Sequence, residues 1–301
     1  MAGNQSTPGR TVASKVVQVL AAFAGDSSEL SLAELHRRTG LPSSTAHRLA
    51  QDLLREGILE RSPDGDYRIG LRLWEIAARS VRGPGLREAA MPFLQNLYEA
   101  TQQHVQLAVL DGDQALIVEK ISGPHAVPTV GRAGGRLPLH ASGVGKAILA
   151  HADAELQERI LAGPLERFTP HTVTSPQALR AVLAQIRRDR TAYCHQELTL
   201  GAVSCAAPIS TPESSTVASV SMVVTADQDV TLLAAAVRTA AIGIGRALQV
   251  HRDSGADPAT WSAPKRPAGQ AHRPRLASSG TVPASGAITA GTMVDGRRDR
   301  P

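Results

Sequence analysis

The side chains best placed to do chemistry are Ser43, Ser44, Thr45, His47, Arg48 and Gln51. They fall on one side of a segment whose other side is Ala46, Leu49, Ala50, Leu53 and Leu54. Apolar residues at i, i+3, i+4, i+7 and i+8 predict an amphipathic helix. Small hydroxyls and free backbone N–H groups at a helix N-terminus can meet phosphate oxygens, and an arginine one turn on can reach a phosphate or a guanine edge. An ordinary solvated face carries Glu and Lys instead, and Glu would repel a phosphate. The chemistry suggested is contact with a nucleic-acid backbone and its base edges. His47 alone adds little, since a surface histidine usually neither ligates nor reads a base. The competing reading is a protein-interaction module of the same shape.

The flanking residues supply the elements that must position this face. Ser31 is a natural N-cap with Glu34 three residues on, a capping-box spacing, and Leu30 and Leu35 can close a hydrophobic staple. Gly40 stops that helix in the left-handed turn, and Pro42 suits the first turn of the next. Gly57 ends the second helix. Ile58–Arg61 and Tyr67–Ile69 read as short strands around the turn-rich Ser62-Pro63-Asp64-Gly65-Asp66. Thr11 to Phe23 supplies a further helix through Val12, Val16, Val19, Leu20 and Phe23. The predicted unit over residues 11–70 is a winged helix-turn-helix, with residues 1–10 loose ahead of it. Arg68 then sits on the wing.

Two patterns invite an enzymatic reading, and neither holds. Ser142-Gly143-Val144-Gly145-Lys146-Ala147 looks like a phosphate loop. The first glycine of such a loop would fall on His140, however, and Ala147 replaces the required Ser or Thr. Cys205 and His195 could pair as nucleophile and base, yet both lie on or beside a predicted strand with no orienting or oxyanion group to nominate. Cys194 and Cys205 do not make a disulfide framework, and no Cys/His spacing fits zinc. A redox switch through these two thiols would need exposure and a lowered pKa. The expectation is a protein that is not an enzyme and uses no cofactor or metal.

At 301 residues, 42% hydrophobic and 20% charged, the chain is long enough for two globular domains, and with 3% aromatics their cores must be aliphatic and alanine-rich. No continuous run of about 18 apolar residues and no signal-peptide core are found, so the expectation is a cytoplasmic protein without a membrane partner. The net charge of +5 is no strong nucleic-acid signal, because its excess sits in the tail. Residues 1–82 hold 11 Lys+Arg against 9 Asp+Glu, residues 83–251 hold 13 against 14, and residues 252–301 hold 8 against 4. The case for DNA rests on pattern.

Beyond the wing, Leu71 to Val81 reads as a helix broken by Gly83-Pro84-Gly85, a connector over 71–85. A second domain spans 86–251. It opens with the amphipathic segment 86–100 and passes to strands at Val105–Leu110 and Ala115–Ile121 around Asp111-Gly112-Asp113. Gly131–Pro138 reads as a glycine-rich basic loop. Helices are expected from Ser142 or Gly143, from an Asp153 cap and from a Ser175 cap with Pro176. Cys205–Ile209 and Val217–Thr225 read as strands, and Thr231–Val250 as a closing helix. The fold class is α+β, helices on a mostly antiparallel sheet. Residues 252–301, rich in Pro, Gly, Ser, Ala and Arg, are expected to be disordered, a solvated extension rather than a DNA-grazing arm.

Three segments in order, GLPSSTAHRLAQDLLREGILERSPDGDYRIGLRL, LPLHASGVGKAILA and EL-x-x-G-x-x-x-CAAPI, resemble the isocitrate lyase regulator (IclR) type of bacterial transcription factor over roughly residues 10–250. The resemblance implies a DNA-binding winged helix, a linker helix and a GAF-like effector domain. It also implies homodimers or dimers of dimers that repress or activate nearby operons in response to small organic or aromatic acids. It places effector contacts at the backbone of Gly143 and Val144, at an acidic position matched by His195, at a cysteine matched by Cys205, and at two serines matched by Ser221 and Val223. Apolar walls fall at Thr129, Leu137 and Val203. An imidazole at His195 and an isopropyl group at Val223 depart from the pattern and point to a larger, less polar effector. Taken singly, Cys205 could equally be a small core residue and Ser221 a satisfied core hydroxyl.

The resulting expectation is a ligand-responsive transcriptional regulator, a repressor in preference to an activator. Its homodimer reads double-stranded operator DNA with Ser43–Arg48 in the major groove and the wing near Asp64–Arg68 on the backbone or minor groove. The rival is a small-molecule sensor or assembly protein whose winged helix contacts protein.

Overall fold

The computed structural model describes residues 11–24, 27–78, 84–124, 126–129, 131–211 and 214–253. The expectations for residues 1–10, for the last turn of the connector helix and for the tail beyond 253 lie outside them.

Local capping chemistry sets the first helices. Helix α1 (Val12–Ala22) starts at Thr11, whose hydroxyl accepts the Ser14 N–H. Strand β1 (Glu29–Leu30) leads into α2 (Leu32–Thr39), where the Ser31 hydroxyl accepts the Glu34 N–H at 3.2 Å. The capping box closes on that side. The Glu34 carboxylate turns instead to Arg37 and Arg38, whose hydrogen bonds pull its pKa down to about 2. Gly40, at φ 64°, ends α2 in the left-handed region. Helix α3 (Ser43–Arg55) follows, with Pro42 at its N-cap, one position earlier than the predicted first turn.

Strands β2 (Leu59–Arg61) and β3 (Tyr67–Ile69) form the wing. Strand β1 pairs with β3, so the sheet has three antiparallel strands in the order β1-β3-β2, where two were expected. A two-residue strand carries no periodicity to read. The core of this domain is Val19, Leu30, Leu35, Leu41, Ala46, Leu49, Ala50, Leu59 and Tyr67, all buried.

Helix α4 (Leu71–Ala78) leaves Leu71, Trp74 and Ile76 exposed. Helix α5 (Pro84–Thr101) opens at Pro84. That segment therefore starts a helix where a break was expected, because proline at the first helical position gives up an N–H that has no intrahelical partner anyway. Then come β4 (His104–Asp111), β5 (Gln114–Ile121) and β6 (Arg136–Pro138). Strand β6 corrects part of the predicted Gly131–Pro138 loop, pairing Arg136, Leu137 and Pro138 with β5. Helices α6 (Gly143–Leu149), α7 (Ala154–Ala162) and α8 (Pro176–Asp189) are capped by Ser142, Asp153 and Ser175. Strands β7 (Ala192–His195), β8 (Ala202–Thr211) and β9 (Ser214–Thr225) precede a 3-10 turn at Val230–Leu233 and helix α9 (Ala234–Asp253). The six strands form one antiparallel sheet, β6-β5-β4-β9-β8-β7.

Alternation along the strands divides this sheet into two faces. Val105, Leu107, Val109, Cys205, Ala207, Val220, Met222 and Val224 pack under α5 and α9. Ala108, Ile117, Ala192 and Ala206 pack under α6, α7 and α8 on the other face. The stretch Val230–Val250 is long and apolar enough to cross a membrane by length and composition. Here its Val237, Ala240, Ala241 and Ile244 lie buried in the core with the sheet. Leu94 is fully buried between α5 and that sheet face. Leu94→Ala is expected to cost about 2–5 kcal/mol of stability by loss of apolar contact and a residual cavity, read as a lowered denaturant midpoint at unchanged slope in urea unfolding.

Candidate functional site

The first candidate surface is α3. Ala46, Leu49, Ala50 and Leu53 are buried, which turns Ser43, Ser44, His47 and Arg48 outward, while Thr45 and Gln51 are half-buried. Gln51 Nε2 lies 3.3 Å from His47 Nε2. Arg48 is exposed and has no hydrogen-bond or ion-pair partner among the described residues. The wing arginines are engaged within the protein. Arg68 pairs with Glu60 across the strands at 3.2 Å. Arg61 sits 4.1 Å over the Tyr67 ring and donates to its hydroxyl. Of these three arginines, Arg48 alone is ready to meet an outside partner without giving one up.

The second candidate is a cleft of about 440 Å³, open mouth included, on the α6 face of the six-stranded sheet. The start of α6 forms one wall. It comes close to the sheet because glycine adds no side chain there: a Cβ on Gly143 would lie 2.5 Å from Ser204 Oγ, and one on Gly145 would lie 2.5 Å from the Pro138 carbonyl oxygen. Ser142 Oγ caps the helix by accepting from the Gly145 N–H at 3.1 Å. Ser219 Oγ donates to the Val144 carbonyl, tying β9 to α6. Thr129, Leu137, Gly143, Val144, Val203, Ser221 and Val223 all line the cleft.

His195 and Cys205 do not line it, although Val203, which pairs with His195 and lies two residues before Cys205, packs in the α5/α9 core and also reaches the cleft edge. Cys205 faces the aliphatic core under α5 and α9, and His195 is exposed, its ring 6.3 Å from that of Tyr193 two residues before it. The neighbours Cys194 and Ser204, paired in register between β7 and β8, turn into the cleft in their place. A shift of one residue moves a side chain to the opposite face of a sheet. The imidazole therefore does not enter the site. Thr129, expected as apolar wall, is a polar contact instead, since its hydroxyl accepts from Lys120 Nζ at 2.8 Å. Gln106, Cys194, Thr199 and Ser204 are lining residues that sequence reasoning missed. The period-2 pattern of β9, with Ser219, Ser221 and Val223 against Val220, Met222 and Val224, held the signal, since carrying that parity across to β8 would have chosen Ser204.

The electrostatics are those of a nearly uncharged cavity. Its lining carries no ionisable acid or base beyond the Cys194 thiol. Ser221 is buried at 1% exposure, and its hydroxyl has no partner among the described residues. Burial pushes Cys194 up to about 11 and Cys205 up to about 12, so both are neutral thiols near pH 7. A nucleophile or redox sensor needs the opposite shift. His104 and His140 are held down from their usual value by burial. The His104 Nε2 lies 2.6 Å from the Val127 carbonyl oxygen, which makes that nitrogen the donor. Below the cleft, Lys146 and Glu197 form an ion pair at 1% and 8% exposure. Among the described residues no group of three or more His, Cys, Asp or Glu could hold a metal ion.

Comparison with known proteins agrees with this geometry. Residues 12–63 match the IclR helix-turn-helix domain, and residues 78–246 match the bacterial transcriptional regulator IclR C-terminal domain. The HTH-type transcriptional regulator XynR of Escherichia coli is 33% identical over 210 residues, 69% of this chain and 83% of that protein. The transcriptional repressor IclR of Escherichia coli is 31% identical over 189 residues, 62% of this chain and 69% of that one. The crystal structure of an IclR homolog complexed with 4-hydroxybenzoate, from Microbacterium hydrocarbonoxydans, superposes with a TM-score of 0.75 at 38% identity, covering 80% of this chain and all of that one. A helix-turn-helix domain followed by a ligand-binding α+β domain, matched over most of its length, makes this chain a member of the IclR family of bacterial transcriptional regulators.

Proposed function

We propose that this regulator acts as a homodimeric repressor in the cytoplasm, and that a small aromatic acid in the cleft of its C-terminal domain sets its affinity for operator DNA. In this reading residues 11–70 bind DNA, 71–85 connect, and 86–251 bind the effector and associate. The observation that carries the effector assignment is the buried, unpartnered Ser221 hydroxyl facing a largely apolar cleft. Leaving a buried hydroxyl unpaired costs about 1–3 kcal/mol, which a polar ligand atom relieves. Leu137, Val144, Val203 and Val223 offer apolar surface for a ring, and Gln106, Ser204 and Ser221 offer polar groups for its substituents. The 4-hydroxybenzoate bound to the Microbacterium homolog belongs to the same chemical class. Self-association is supported by the exposed Leu71, Trp74 and Ile76 of α4, which leave water most readily against another apolar surface.

For DNA, the proposal assigns Arg48 to a base edge or phosphate in the major groove, with Ser43, Ser44 and Thr45 at the helix start, His47 and Gln51 beside it, and Arg68 on the wing. Arg48→Ala is expected to weaken operator binding by about 1–3 kcal/mol while leaving random DNA little changed. Titrating both DNAs in a mobility-shift assay checks this, and equal loss on both would reassign Arg48 to a phosphate. A second expected outcome concerns control. Saturating 4-hydroxybenzoate should change operator affinity at least tenfold, measured by fluorescence anisotropy on the DNA upstream of the gene. A benzoate that binds the protein without moving operator affinity would refute the coupling.

A further inference from the structure

An acid in the cleft would gain from positive charge within reach, yet none of the lining side chains is cationic. One cation stands a step behind the lining. Lys120 lies on β5, in register with the lining residue Gln106 of β4. Its ammonium donates to Thr129 Oγ1 at 2.8 Å and to the Gly131 carbonyl at 2.6 Å, and both residues border the cleft. Those acceptors are neutral. An ammonium has three donors, so one remains, and no carboxylate pairs with Lys120 among the described residues. The contrast with Lys146 is direct, since that deeper lysine is matched by Glu197. His104 also lies close enough to feel Lys120, and burial keeps it toward the neutral form.

The uncompensated charge has a physical consequence. Lys120 is half-buried, and the loss of water lowers its pKa from the usual lysine value. A partly dehydrated cation without a counter-ion is costly, and an anion placed beside it relieves that cost. Thr129 carries the effect inward. Because its oxygen accepts from an ammonium, its own O–H is polarised and left to donate toward the cleft. We propose that Lys120, directly and through Thr129, is the positioning and specificity-determining group that makes the cleft select an ionised acid over a neutral ligand of the same shape. This rests on the reading of the cleft as an effector site for acids, and adds which residue confers the charge preference.

The test compares full-length wild type, Lys120→Met and Lys120→Arg by isothermal titration with 4-hydroxybenzoate and with its neutral isostere 4-hydroxybenzamide. Wild type should prefer the acid at least tenfold. Lys120→Met should lose at least tenfold in acid affinity with amide affinity held within twofold, and Lys120→Arg should keep most of the preference. If wild type prefers the acid and Lys120→Met keeps that same preference, the inference fails while the acid-site reading stands. Equal loss of both ligands in both variants would make Lys120 a packing residue and also overturn it. A wild type that binds the amide as well as or better than the acid, or that binds neither, removes the inference together with the reading beneath it.

Discussion

Strand parity is the constraint on which the C-terminal domain depends. Along most of the six-stranded sheet, residues alternate between the aliphatic layer under α5 and α9 and the layer that holds α6 and the cleft, with Val203 at the cleft edge belonging to both. The two faces differ in size as well as polarity. Under α5 and α9 the strands present Val105, Leu107, Val109, Ile209, Val220, Met222 and Val224. Toward α6 the three central strands present Ala108, Ser204, Ala206, Ser219 and Ser221. Small side chains there let α6 approach, and its glycines remove the remaining obstruction. The cleft begins where α6 begins, bounded by that small-residue face. A register slip of one residue would bury the serines among α5 and α9 and turn the large aliphatic residues into the cleft, so the same apolar core that stabilises the sheet also sets the chemistry of the site.

The second constraint is the Lys146–Glu197 pair. Removing two charges from water costs several kcal/mol per ion, and mutual attraction offsets this only when the geometry is good and the remaining atoms are satisfied. One Glu197 oxygen meets Lys146 and the other has no partner among the described residues. Hydrophobic residues of similar volume would hold this place at least as stably, so stability alone is a weak reason for the pair. Its position offers a better one. Lys146 lies on α6, and Glu197 lies in the turn that carries the lining residues Leu198 and Thr199. Thr169 and Thr172 hold the same turn by donating to the Gln196 and Glu197 carbonyls at 2.7 and 2.6 Å. The pair ties the turn to the helix in one orientation, which an interchangeable apolar contact would not do.

Much of this architecture is legible in the sequence where local chemistry decides it. Ser31, Asp153 and Ser175 accept the N–H bonds their spacing predicts, and Gly112 and Asp113 close the hairpin where the hydrophobic period changes. What escapes is decided by distant residues. Strand β1 exists because β3 lies beside it, and β6 because β5 does. Cys205 and His195 were attractive as chemical types, but type says nothing about side, and only the pairing of Cys194 with Ser204 and of Ser204 with Val223 shows which residues share the cleft. Lys120 was invisible for the same reason. In the sequence it is one lysine ending a strand, and its significance comes from Thr129 and Gly131 folding back over it.

These features limit how an effector can act. A ligand bound equally well in two arrangements of the protein shifts neither, however tightly it binds. The contacts that discriminate must therefore come from parts of the wall able to differ between arrangements. The β-sheet and the start of α6 are poor candidates, because their side chains interlock with two packed layers and a densely packed interior does not deform gradually. The remaining wall consists of the segment around Thr129 and Gly131, anchored by Lys120, and the turn at 196–201, anchored by Glu197 and the two threonines. Both are irregular segments held by polar bonds, and polar bonds can be exchanged for bonds to a ligand at little net cost. An acid that takes the remaining Lys120 donor would share one ammonium with Thr129 and Gly131, so occupancy and the position of that segment would be physically linked. The buried charges that look least economical for stability are thus placed where binding can be converted into movement.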